Sequence, residues 1–343
     1  MRLTHTFVLA SAVSGAAGLM HETIWSRAMS LVAGSTVEAT AVTFAAFMGG
    51  MGIGGFLGGA LSRRRNVWWA YAVIEGLAAV LAPLIGVWLT MKADAISSAF
   101  AEIGLQGLAA FLPAALLLAL PAVFLGATLP LLVTIARQAG NGLDAVGWIY
   151  GANILGGAAG ALFTAYHAIP VHGIALAAAI AGLFNLVSGG VVLLSKRAAT
   201  TGNMIASPSP DMRPSGSGEP LPLLLAAAAL SGAAVFAMEM VWARHAAFFI
   251  GNRSYATAVL LSAVLILLAL GAWAAAWLER RGARPRAVLC VSSATAAIGI
   301  LAADTGLRWL WGAQDSLEGV VASGIVSLEL LRYLEAVVLM APV

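Results

Sequence analysis

The chain has 343 residues, of which 61% are hydrophobic and only 10% charged, against roughly one quarter charged in a soluble globular protein. That balance excludes a water-soluble domain over most of the length and places the chain in a lipid bilayer. The net charge of +3 comes from Arg clusters at the ends of apolar runs, a topology signal and not a nucleic-acid footprint; the single Cys290 excludes an intrachain disulfide.

Apolar runs of about 20 residues recur, each long enough as a helix to cross about 30 Å of hydrocarbon and too uniformly apolar for barrel strands. In the first half, residues 1–197, they predict six spans: Phe7 to Val32, Glu38 to Leu61, Val67 to Met91, Leu108 to Ile135, Val146 to Ala168 and Gly173 to Leu194. Arg63-Arg64-Arg65, Arg137 and Lys196-Arg197 collect on one side, while the other carries little beyond Lys92. The positive-inside rule therefore predicts a cytoplasmic N-terminus. The fourth span holds Pro113, Pro121 and Pro130, which predicts kinks or a broken helix, because proline removes a backbone donor and clashes with the preceding turn.

Residues 198–220 are polar and rich in Pro, Ser and Gly, with too little apolar surface to fold, and read as a flexible cytoplasmic linker. The second half, 221–343, gives Leu221 to Ile250, Tyr255 to Leu278, Ala287 to Ala303 and a run from Val320 to the end. There Leu339-Met-Ala-Pro-Val343 aligns with Leu118-Ala-Leu-Pro-Ala122. A helix ending inside hydrocarbon would leave orphan carbonyls, so the second half is expected to be truncated.

The two halves share a motif. Ser14-Gly-Ala-Ala-Gly-Leu-Met-His-Glu-Thr-Ile-Trp-Ser-Arg27 returns as Ser231-Gly-Ala-Ala-Val-Phe-Ala-Met-Glu-Met-Val-Trp-Ala-Arg244, an offset of about 217 positions. The same offset pairs Gly34 with Gly251, Ala39-Thr-Ala-Val42 with Ala256-Thr-Ala-Val259, Gly54 with Gly271, and Arg63-Arg64 with Arg280-Arg281. Repeated basic clusters after equivalent spans imply parallel halves related by an axis along the membrane normal. The repeat also argues against a cleaved leader at Met1-Arg-Leu-Thr-His5, since its equivalent is internal.

Glu22 and Glu239 are the sharpest functional signals. A carboxylate at depth costs about 2.5–3.5 kcal/mol to insert, so it is expected to face the bundle or a wet cavity and to have a partner. One reading makes them a pair, one from each half, lining a central site for a cationic ligand together with Trp25, Trp242, Glu75 and Asn153. The competing reading ties each carboxylate to Arg or backbone within its own half, and takes Glu75, Asn153 and Asn185 as interhelical hydrogen-bonding residues. Arg27 and Arg244 are placed to snorkel toward the surface, and Arg63, Arg64, Arg280 and Arg281 set topology.

Gly50-x-Gly52-x-x-Gly55 has the form of a dinucleotide fingerprint but lies inside an apolar span with no preceding strand. Gly50, Gly54 and Gly58, four apart, suit close helix packing instead. His21-Glu22 opens like a zinc-protease helix, yet Trp25 stands where the second His belongs, and His167, His172 and His245 complete no ligand set. No metal and no cofactor are expected in this chain. Most Trp residues, Trp68-Trp69 included, lie near span ends and read as an interfacial belt.

Together these residues resemble the membrane region of the bacterial fused major-facilitator-like/spermidine synthase proteins. The resemblance rests on the Ser14–Arg27 helix, the Gly-rich Gly49–Gly59 stretch, Gly126-Ala-Thr-Leu-Pro130 and Tyr150-Gly-Ala-Asn-Ile-Leu-Gly156. It implies an all-α polytopic membrane protein, a major-facilitator-like six-helix half followed by an incomplete second repeat, about ten segments in all. It implies residence in the bacterial inner membrane, a polyamine-like ligand, and a cytoplasmic aminopropyltransferase-like domain as C-terminal or separate partner. Enzyme activity is implied only for a longer parent, and no catalytic residue carries over. The loop after span two also resembles that of major facilitator transporters, with Ser62 where that loop has Asp. A stand-alone transporter of degenerate facilitator type and a ligand-free membrane anchor are the alternatives.

Overall fold

The computed structural model describes residues 2–33, 36–64, 66–102, 108–140, 144–201, 256–284 and 287–298, with scattered positions between 222 and 237. Among them every regular element is helical: α1 (Arg2–Ala33), α2 (Thr36–Leu61), α3 (Val67–Met91), α4 (Ala93–Glu102), α5 (Leu108–Gln138), α6 (Asp144–Phe163), a π-helical turn (Thr164–Ala168), α7 (Ile169–Thr201), α8 (Ala256–Arg280) and α9 (Ala287–Ile298). The chain forms two compact units, Met1–Ile205 with Leu268–Trp277, and Ala206–Leu267 with Leu278–Val343. The tenth predicted span, most of the seventh, and the linker beyond Thr201 lie outside the described residues.

Among the described residues six stretches are long and apolar enough to cross a membrane: His5–Val32, Ala39–Leu61, Val67–Met91, Phe111–Gln138, Val146–Lys196 and Ala258–Leu278. The fifth has 51 residues, far more than the ~20 that one crossing needs. The chain divides it: α6 ends in the π-helical turn, and Gly173 (φ 75°, ψ 172°) interrupts α7 with a backbone that L side chains rarely adopt. Two crossings result, as the sequence predicts, meeting near His167 and His172. The protein is thus a polytopic α-helical membrane protein.

Lipid and interior are separated most clearly on α3. Trp69, Val73, Leu77, Val80, Leu84 and Trp88 are exposed and recur every three or four residues, so they form one apolar stripe. Its terminal Trp side chains are about 28 Å apart at 1.5 Å per residue, which matches the hydrocarbon thickness and puts both at an interface. The opposite face, Tyr71, Glu75, Ala78 and Ala82, is fully buried.

Small residues bring helices into backbone contact. A Cβ on Gly50 would lie 2.6 Å from the Ala119 carbonyl oxygen, and one on Gly58 2.6 Å from that of Ala127. Between them Gly54 abuts the Val123 backbone, and Gly126 of α5 abuts Met51 in return. The Gly stripe of α2 therefore packs on α5, as its spacing predicts. α1 and α6 meet the same way through Gly15 against Asn153, Gly156 against Ala12 and Gly160 against Ala16.

Two expectations are corrected and one helix is added. α5 is a single helix through Pro113, Pro121 and Pro130, so of the expected kinks or broken helix the broken helix does not occur. Trp68 is buried against Phe7, with ring centroids 5.9 Å apart; of the Trp68-Trp69 pair only Trp69 reaches the interface. The amphipathic α4, absent from the predicted spans, turns Ala93 and Ile96 inward and leaves Asp94 exposed.

Candidate functional site

The polar interior of the first unit is built where α1, α3 and α7 meet. Ser14 and His21 are seven residues apart on α1, Tyr71 and Glu75 four apart on α3, and Asn185 and Ser188 three apart on α7. Each spacing puts its pair on one helix face, and all six side chains are buried. Asn185 joins the three helices: its Nδ2 donates to Glu75 Oε2 at 2.7 Å, and its Oδ1 lies 3.1 Å from His21 Nε2. An amide oxygen only accepts, so His21 carries its proton on Nε2 in this arrangement.

A second chain runs alongside. Ser188 Oγ donates to the Ala10 carbonyl at 3.0 Å, spending its one hydrogen, so Tyr71 OH, 2.7 Å away, donates to Ser188. Ser14, Tyr71 and Ser188 are the remaining polar side chains around the Glu75 carboxyl. Glu75 Oε1 and His21 Nδ1 are buried and make no hydrogen bond. Buried networks of this kind matter most when one atom is left over, because low local polarity strengthens every contact and every omission.

Two further predicted site residues, Glu22 and Trp25, stand beside His21 on α1. Glu22 is buried on α1 with 2% exposure, a helical step of about 100° from His21. Trp25 is fully buried; its Nε1 donates to the Ala82 carbonyl at 3.1 Å, its ring stacks on His21 and meets Phe47 edge-on, and it fills the space over Gly86. Asn153 Nδ2 donates to the Ser11 carbonyl at 3.0 Å, and Ser11 Oγ donates to the Ile149 carbonyl at 2.8 Å, pinning α1 to α6 beside the Gly contacts. Arg27, Arg63, Arg64, Arg280 and Arg281 are exposed near helix ends. Glu239, Trp242 and Arg244 lie outside the described residues.

Sequence reasoning missed the grouping of Ser14, His21, Tyr71 and Ser188. The signal was present as polar residues at helical spacing inside apolar spans. Among the described residues no group of three His, Cys, Asp or Glu side chains could hold a metal ion.

Fold and interior together define a multi-pass helical membrane protein with ionisable groups held at depth. No protein-family profile and no curated protein matches the chain. A solved structure, the in meso crystal structure of the POT family transporter PepTSo, is similar at 17% identity and a TM-score of 0.43, over 98% of this chain and 66% of that one. The chain thus spans just under two thirds of that transporter's length.

Proposed function

We propose that the chain is the membrane-embedded part of a transporter-type protein that receives a small cationic solute, with Glu22 as the carboxylate that meets it. The observation carrying this reading is the burial of Glu22 in an apolar helix, at 2% exposure, within a motif that the chain repeats with its acid intact at Glu239. An intramembrane carboxylate is expensive, and its retention in both copies supports a role for the charge itself. Parallel repeats with polar residues on the interior face are how many transporters are built.

The finer reading takes the solute as a polyamine and the chain as the membrane region of a spermidine-synthase-like fusion protein in the bacterial inner membrane, N-terminus cytoplasmic. It is supported by the Ser14–Arg27, Gly126–Pro130 and Tyr150–Gly156 motifs and by the basic clusters at Arg63-Arg64 and Arg280-Arg281.

The test is equilibrium binding of spermidine to the purified chain in lipid nanodiscs. Glu22→Gln is expected to weaken binding about tenfold or more, equivalent to at least ~1.4 kcal/mol, while thermal stability stays near that of wild type. Equal affinity in wild type and variant would sink the assignment of Glu22. Failure of wild type to bind any of putrescine, spermidine or choline would sink the cationic-solute reading.

A further inference from the structure

The network around Glu75 is a different feature from Glu22. Glu75 is wholly buried, accepts one hydrogen bond on Oε2 from Asn185, and keeps Oε1 without a hydrogen bond. No Lys or Arg pairs with it among the described residues. Its titratable neighbour is Tyr71 on its own helix; α7 presents the neutral Asn185 and Ser188, and Asn185 links it to His21 on α1. On the other elements packed against α3 the charged groups are elsewhere: Arg137 is exposed in the last turn of α5, and Asp94 and Glu102 of α4 are exposed.

A carboxylate so placed bears its charge in a medium that cannot solvate it. Adding one proton to Oε1 converts Glu75 from carboxylate to neutral carboxylic acid, and Oε2 can go on accepting from Asn185. The remaining protein groups keep their protons, so one proton enters and one negative charge is lost. Asn185 transmits the change, since its amide holds Glu75 through Nδ2 and His21 through Oδ1.

The repeat isolates this feature. At the offset shared by the two halves His21 corresponds to Met238, and the positions corresponding to Glu75, between the two alignments of the repeat, are Ser292-Ser-Ala-Thr-Ala296. Glu22 has a partner in the second half; His21 and Glu75 have none. The His21 and Glu75 positions of the network are therefore not repeated in kind.

We propose that Glu75, backed by Asn185 and His21, is a proton-binding site that takes up and releases a single proton within the first unit, and that its ionisation sets how tightly α1, α3 and α7 are held together. Uptake removes an unsolvated charge and favours the closed packing seen here. Release favours any arrangement that admits water or a cation between the three helices.

The experiment is pH-difference infrared spectroscopy on the purified chain in nanodiscs, with no solute added, from about pH 5 to about pH 9. A carboxylic C=O band that exchanges slowly with deuterium and titrates is expected in wild type and in Glu22→Gln, and is lost completely in Glu75→Gln. His21→Leu is expected to shift the midpoint of that band, whereas the lipid-facing control Val73→Ala leaves it in place. If Glu75→Gln does not fold, wild type and Glu22→Gln still decide the matter. Absence of a slowly exchanging, titrating carboxylic band in both, or its persistence in folded Glu75→Gln, overturns the proposal. Because no solute enters this measurement, its outcome is independent of the spermidine experiment.

Discussion

Replacing Gly54 by leucine is expected to abolish recovery of folded, monodisperse protein from detergent, whereas Gly52→Leu two residues away is expected to behave like wild type. Gly54 is buried, and a Cβ there would run into the Val123 backbone of α5; at Gly52 a Cβ would meet nothing within 4 Å. Overpacking a core costs about 1–3 kcal/mol where side chains can yield. Here the obstacle is main chain on a facing helix, and the adjoining Gly50, Gly58 and Gly126 contacts lock both helices in register. The cost should therefore exceed that range and separate α2 from α5. Size-exclusion profiles of tagged variants, before and after heating, measure it; equal profiles for Gly54→Leu and Gly52→Leu would show that the close approach of α2 and α5 is not needed.

Asn185→Leu is the second large effect. Leucine has nearly the same size but supplies neither the donor to Glu75 Oε2 nor the acceptor for His21 Nε2. Two fully buried polar groups then lose partners, at about 1–3 kcal/mol each and more if Glu75 is charged. A loss of about 3 kcal/mol or more is expected in denaturant or thermal unfolding. Ser195→Ala provides the comparison: its hydroxyl bonds only to the Val191 carbonyl of its own helix, and the change should stay within ~0.5 kcal/mol. Comparable losses in the two variants would show that the α1–α3–α7 junction is not a special point of stability.

Much of the architecture was legible because lipid imposes a simple code. Apolar runs gave the crossings of the first half almost residue for residue, as with α3, because a helix must satisfy its own backbone in hydrocarbon. Gly50, Gly54 and Gly58 were legible because only close packing explains small residues every fourth position in such a run. The site was harder to read. Glu75 and Asn185 were visible as polar residues, but pairing them required knowing that α3 and α7 are neighbours, which no local pattern encodes. His21 reads by itself as the opening of a zinc helix, and Tyr71 and Ser188 look ordinary until their helices meet. Trp68 misled for a related reason: a position near a span end fits an interfacial ring as well as a core ring, and the packing of Phe7 decides. α4 escaped notice because ten residues of mixed polarity give neither a span nor a loop signature.

The central claim is that the first unit is a membrane-embedded bundle whose lipid face and polar interior lie on opposite sides of α3. Single nitroxide labels placed along residues 69–88 of the chain in nanodiscs, read for collision with oxygen, which partitions into lipid, test this most directly. The account predicts a helical period with maxima at positions 69, 73, 77, 80, 84 and 88 and minima at 71, 75, 78 and 82. A flat profile, or a maximum at position 75, would contradict it.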